Sequence, residues 1–392
     1  MKINLERSLQ CFAIVWLFCM SINLQASIIP APPQLAAEGY LLIDADTGEV
    51  LVEHNSVQRL PPASLTKMMT SYVASGELAS GRLSGEDEVD VSVKAWRTEG
   101  SRMFIREGTK VRIDDLMKGI IIQSGNDASV AIAEHIAGSE DAFADVMNQQ
   151  AVLLGMNDTQ YQNATGLPNE DHYTTAADLA KLTTALIKNF PEHYSLYGEK
   201  YFSYNDIRQP NRNLLLWRDK SVDGVKTGHT DAAGYCLVSS ALRDDMRLIS
   251  VVMGASSEEA RATESQKLLS YGFRYFETLR LYKADETLRT VKVWGGQTDR
   301  LDLGVAEAVV LTVTRGTKAE LSATLDIDGV MHAPVKRGDK LGQLKISDAD
   351  GVIAELPLIA LMDIPEAGFF SSLWDVISLF FTQLFSGDAL AV

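Results

Sequence analysis

The chain has 392 residues, 46% of them hydrophobic and 22% charged, which suits two or three folded units and excludes a disordered chain. Its 52 Asp and Glu against 36 Lys and Arg give a formal net charge of −16, so nucleic-acid backbones and anionic lipid are both repelled and any membrane attachment has to be apolar. With 3 Cys and 6 His there is little material for a disulfide framework or a metal cluster, and neither a metal nor a cofactor is expected.

In chain order, residues 1–26 combine a weakly basic start, an apolar run from Cys11 to Leu24 and a small residue at Ala26. That is the pattern of a secretory signal, with cleavage after Ala26. Cleavage there removes Cys11 and Cys19 and leaves Cys236, inside the apolar run Tyr235–Val238, as a buried strand residue. Next, Tyr40–Asp44 and Val50–His54 flank Asp46-Thr-Gly-Glu49 and predict a hairpin. Helical periodicity runs over Leu65–Ala74, Ile113–Ala137 and Ala176–Lys188. Strand-like runs follow at Gly234–Leu242 and Arg247–Met253, and then a helix from Ser257 to about Phe276. Strands, then helices, then strands predict an α+β domain over 27–282 whose sheet closes from distant parts of the chain.

Past Lys283 come short alternating segments, Val291–Trp294, Ala308–Thr314, Leu321–Leu325 and Leu341–Ile346, which predict a small all-β domain over 283–366. Residues 367–392 read as an amphipathic helix: Phe369, Leu373, Ile377, Phe380 and Leu384 lie opposite Asp375. A polar stripe beside aromatic bulk suits a helix lying in a membrane surface rather than crossing it.

The chemistry concentrates at Pro61-Pro-Ala-Ser64-Leu-Thr-Lys67. Two prolines forbid helix before Ala63, so Ser64 is predicted in the first helical turn, where unpaired N–H groups and the dipole favour an oxyanion. Lys67, three residues on, rises on the same face. It can take a proton from the serine only when neutral, which calls for burial and a second cation nearby. Ser124-Gly125-Asn126 supplies a hydroxyl and an amide, and Lys226-Thr227-Gly228 supplies that cation, a hydroxyl for a carboxylate and a glycine permitting close approach. These three elements in this order are the set of penicillin-binding proteins and class A β-lactamases, with Gly125 where Asp is usual.

From about Gly39 to Glu366 the chain resembles the low-molecular-mass penicillin-binding proteins that act as D-alanyl-D-alanine carboxypeptidases. The resemblance extends to Ser124-Gly-Asn-Asp-Ala128, Tyr173-Thr-Thr-Ala-Ala-Asp178, Asp223-Gly-Val-Lys-Thr-Gly-His-Thr230 and Gly272-Phe-Arg-Tyr-Phe276. It implies a serine β-lactamase/transpeptidase-like catalytic domain with an antiparallel sheet. It also implies that Ser64 is the acylated nucleophile, Lys67 its base and Ser124 the proton relay. Asn126, Lys226, Thr227, Gly228 and Arg261 would hold the substrate, and the N–H groups of Ser64 and His229 would form the oxyanion hole. Peptidoglycan stem peptides are then the substrates, with β-lactams as covalent inhibitors, in a periplasmic enzyme resting on the inner membrane. A DD-endopeptidase or a β-lactamase would use the same residues, but no Glu-x-x-Leu-Asn element supplies a deacylating glutamate. Neither His-Glu-x-x-His nor Glu-x-x-His occurs, which speaks against a zinc peptidase. A non-enzymatic wall-binding or shape-maintaining role fits poorly with a full reactive set. The terminal helix departs from the family in one respect, since no Lys or Arg follows Lys345.

Overall fold

The computed structural model describes residues 29–368. The expected signal segment and terminal amphipathic helix lie outside the described residues. Among those described, no helix is long and apolar enough to cross a membrane.

The N-terminal unit begins with β1 (Gly39–Asp44) and β2 (Val50–His54), paired antiparallel as the hairpin pattern requires. The helices α1 (Lys67–Ala79), α2 (Ile113–Ile121), α3 (Asn126–Ala137), α4 (Glu140–Leu153) and α5 (Ala176–Asn189) follow. Three antiparallel strands, β3 (Val222–Thr230), β4 (Gly234–Arg243) and β5 (Met246–Ala255), lead into α6 (Glu258–Tyr275). The strand order β2-β1-β5-β4-β3 brings the first strands beside the last, so the sheet closes from distant parts of the chain.

Both sheet faces are covered, and the strands alternate between two cores. Leu41, Ile43, Cys236, Val238, Ile249 and Val251 face the helices α1–α5. Tyr40, Leu42, Leu237, Leu248 and Val252 pack with Leu268 and Leu269 of α6. That helix approaches closely because Gly272 has no side chain: a Cβ there would meet Leu248 at 2.5 Å. Cys236 is a fully buried strand residue, its thiol pushed up to about 11 by burial.

Two expectations need correcting. The periodic stretch Ile113–Ala137 is two helices, because Ser124 takes φ 65° and interrupts it. Phe276–Tyr282 (β6) does not end the first unit: it pairs with β9 (Val309–Thr314) and so hydrogen-bonds within the second. The rest of that unit is β7 (Thr287–Trp294), β8 (Arg300–Gly304), β10 (Ser322–Ile327), β11 (Met331–His332), β12 (Lys340–Ser347) and β13 (Val352–Ala360). These form a six-stranded sheet in the order β10-β12-β13-β8-β7-β11.

Candidate active site

The turn that carries Ser64 is a 3₁₀ segment, Ala63–Thr66, feeding directly into α1. Pro62 accepts the Leu65 N–H at 3.1 Å, and Ala63 sits at φ 47°, a strained conformation for a residue with a Cβ. Ser64 is therefore presented from a tight turn at the head of the helix, close to the expected first helical turn. Lys67 is almost wholly buried, and its Nζ lies 3.0 Å from Ser64 Oγ and 2.5 Å from the Thr165 carbonyl oxygen. Burial first, and then the Arg212 guanidinium, lower its pKa to about 7.

Nearby carboxylates oppose that shift, yet neither is free. Asp127 accepts N–H bonds from Met103, Phe104, Ile105 and Ala128 at 3.0, 2.9, 3.2 and 2.9 Å. Glu140 is held by Lys94 Nζ at 2.8 Å and by the Ala164 N–H at 3.1 Å.

Ser124 and Asn126 straddle the break between α2 and α3. Ser124 Oγ and Asn126 Oδ1 are buried without a hydrogen-bond partner in the protein, whereas Asn126 Nδ2 donates to the Glu99 carbonyl at 2.6 Å. Buried polar atoms left unpaired are costly, and they mark places where a bound molecule completes the bonding. Gly125 between them is crowded: a Cβ would meet Asp127 Oδ1 at 2.9 Å and the Met103 nitrogen at 3.2 Å. That crowding accounts for glycine where the usual motif carries Asp.

Lys226, Thr227, Gly228 and His229 lie within β3, the edge strand. Gly228 lets this edge press on the Ser64 turn, since a Cβ there would stand 3.0 Å from the Pro62 carbonyl oxygen and 3.3 Å from Ala63 Cβ. The strand's first residues are anchored through Asp223, which accepts from Arg247 at 2.7 Å and from Tyr194 at 2.8 Å. Lys226 is buried, its pKa driven well down by desolvation and then by the charges of Lys67, Arg212 and Arg261. Two lysines thus share one site in which both cannot readily be charged.

Arg261, also buried, donates to the Gly228 carbonyl at 3.2 Å, pairs with Glu258 at 3.3 Å and lies over the Tyr235 ring, which stacks on exposed His229. Sequence reasoning missed Arg212 and His172. Arg212 precedes Asn213, whose amide donates to the Gly224 carbonyl at 2.9 Å and ties the loop to β3. His172 is buried against Thr66 Oγ1 at 2.9 Å, with its pKa lowered to about 4 by burial and by Lys67. No motif surrounds Arg212, and His172 stands just ahead of the run Tyr173–Asp178.

A family model described as D-alanyl-D-alanine carboxypeptidase matches residues 26–257, and one for the C-terminal domain of penicillin-binding protein 5 matches residues 276–366. The D-alanyl-D-alanine carboxypeptidase DacA of Escherichia coli K12 is 43% identical over 367 residues, covering 92% of this chain and 91% of its own. The crystal structure of penicillin binding protein 5 from Haemophilus influenzae superposes with a TM-score of 0.82 at 39% identity, over 86% of this chain and 100% of that one. Penicillin-binding protein D2 of Listeria monocytogenes, solved in an ampicillin-bound form, matches with a TM-score of 0.58 at 29% identity, over 62% of this chain and 100% of its own. Ser64 beside the buried Lys67 at a helix head, a Lys-Thr-Gly edge strand, and two family models in tandem place the chain in the D-alanyl-D-alanine carboxypeptidase family of penicillin-binding proteins.

Proposed function

We propose that the protein is a serine DD-carboxypeptidase that removes the terminal D-alanine from peptidoglycan pentapeptides and is acylated by penicillin at Ser64. One observation carries this reading: Lys67 Nζ stands 3.0 Å from Ser64 Oγ, buried, with a pKa near 7. Neutral Lys67 takes the Ser64 proton as Oγ attacks the penultimate D-alanyl carbonyl carbon. The N–H groups of Ser64 and His229 hold the resulting oxyanion. As the C–N bond breaks, Ser124 Oγ passes a proton to the leaving amine and takes the one that Lys67 had accepted, so that Lys67 is neutral again and an ester remains on Ser64. Water then attacks the ester, gives its proton to Lys67, and the returning proton restores the Ser64 hydroxyl.

Asn126 orients the peptide through its unpaired Oδ1. Thr227 and Lys226 receive the terminal carboxylate, whose negative charge favours a protonated Lys226 despite its burial. Gly228 gives the peptide close access to the strand, and Arg261 adds positive charge while bracing the Gly228 carbonyl. The test is a synthetic peptide ending in D-Ala-D-Ala, followed by assay of free D-alanine. Absence of release by an enzyme that still binds penicillin would refute the reading.

The sequence of the two ends supports an exported, periplasmic protein resting on the outer face of the inner membrane through its aromatic tail. Since that tail carries no Lys or Arg, attachment is expected to resist high salt, whereas a chain ending at Glu366 is expected in the soluble fraction. Release of the full mature chain by salt alone would show that charge, not apolar burial, holds it.

A further inference from the structure

A loop over residues 164–174 runs beside the Ser64 turn and is bonded to it from end to end. Its Ala164 carbonyl accepts from Thr70 Oγ1 at 2.7 Å and its Thr165 carbonyl from Lys67 Nζ at 2.5 Å. At the far end Thr174 and Leu60 exchange N–H···O bonds of 2.8 and 2.9 Å. Each of these contacts uses the loop's backbone. At Thr66 the loop uses a side chain instead: His172 Nε2 lies 2.9 Å from Thr66 Oγ1, and both residues are buried. Thr66 stands directly before Lys67, where the 3₁₀ segment gives way to α1.

A histidine in this place is costly. Its Nδ1 is buried without a hydrogen-bond partner in the protein, and the ring packs edge-on against buried Tyr161, with centroids 5.7 Å apart. An apolar ring would fill the same space and leave no nitrogen unpaired. The histidine is therefore accounted for by the bond that Nε2 makes, not by packing. Burial and the charge of Lys67 lower the imidazole pKa to about 4, so the ring is neutral near pH 7. It bonds Thr66 without setting a further charge beside a lysine that has to lose its own.

Resting on the reading of Lys67 as the base of a carboxypeptidase, we propose that His172 is a positioning residue for that base. Through Thr66 it fixes the middle of the loop against the start of α1. The Thr165 carbonyl is thereby kept where it aims Lys67 Nζ toward Ser64 Oγ.

The experiment compares His172→Phe, His172→Gln, His172→Asn and Thr66→Val in the full enzyme. Penicillin acylation is followed by mass spectrometry in a single turnover, and kcat and KM by D-alanine release from a peptide ending in D-Ala-D-Ala, all well below the melting midpoint. His172→Phe keeps the bulk of the ring and loses the bond, so acylation and kcat should fall about tenfold with KM within about twofold of native. A glutamine amide reaches the place of Nε2 and an asparagine amide that of Nδ1, so His172→Gln should recover most of the rate and His172→Asn little. Thr66→Val removes the same bond from its other side. It should match His172→Phe, and the double variant should be no slower than either. A packing role predicts the reverse order, with His172→Phe active and His172→Gln impaired, and that result overturns the proposal. Acylation at the native rate in Thr66→Val overturns it as well, and decides the matter if His172→Phe fails to fold. Native enzyme that is acylated by penicillin but releases no D-alanine would refute the carboxypeptidase reading, while the order of the variants in acylation still decides the role of His172.

Discussion

The Cβ that Gly166 lacks would stand 1.8 Å from the carbonyl oxygen of Ala63. Gly166 takes φ 83°, and its neighbour Thr165 supplies the carbonyl that holds Lys67 Nζ. One loop thus presses on the Ser64 turn from outside while holding Lys67 from within.

Gly166→Ala is consequently expected to displace Ser64 rather than merely soften a loop. The clash is with backbone, which cannot rotate away, and the left-handed φ adds about 1–3 kcal/mol of strain. A misplacement of about 1 Å at a reacting centre can cost about a hundredfold in rate. Penicillin acylation measured by mass spectrometry should slow by that order. A variant that acylates at the native rate would mean the loop and the turn are not coupled.

The two units meet at Asp44, which is fully buried in β1. Its Oδ2 accepts from Thr278 at 2.5 Å and from Thr312 at 2.8 Å, both in the pair β6 and β9. Asp44→Ala strips both hydroxyls of a charged acceptor, at a cost of about 1–3 kcal/mol. The urea midpoint should fall while acylation of Ser64 continues. An unchanged midpoint would show that the junction is held elsewhere.

Much of this architecture is legible in the sequence because it is built from apolar periodicity. β1, β2, β4, β5, α5 and α6 all carry that signal. β3 does not: Asp223, Gly224, Lys226, Thr227, Gly228 and His229 interrupt any alternation, and of its apolar residues only Val222 and Val225 join the cores. Ile113–Ala137 misleads in the opposite way. Its apolar period runs straight across Ser124, and nothing local announces a serine at φ 65°. Ser64, Lys67, Ser124, Asn126 and the Lys-Thr-Gly run could be found by spacing. Arg212 acts on Lys67, and Lys67 on His172, through space and from loops, so only the folded chain shows either coupling.

Penicillin should form a long-lived ester. Asp127 is saturated by four N–H donors and Glu140 is paired with Lys94, so the carboxylates acting on Lys67 are engaged and neither stands free to activate water. Intact-mass measurement is expected to show one adduct, on a peptide containing Ser64, absent from Ser64→Ala. Rapid multiple-turnover hydrolysis of the antibiotic without D-alanine release would favour a β-lactamase instead.

The pH dependence tests the base directly. On the proposed mechanism Ser64 gives its proton to neutral Lys67, and protonation disables that base as pH falls through about 7. Below that point kcat/KM should drop by about tenfold per pH unit, and above it the curve should level. Arg212 disfavours the charged form of Lys67, so Arg212→Gln makes protonation easier and raises the Lys67 pKa. The acid limb should then move to higher pH, costing activity near neutrality and recovering it in alkaline buffer. Arg212→Lys retains the positive charge and should hold the limb near its native position. Lys67→Arg should be almost inactive at every pH, because a guanidinium does not deprotonate in proteins. If the limb stays fixed in Arg212→Gln, the group titrating near neutrality is not Lys67, and the proton from Ser64 goes elsewhere.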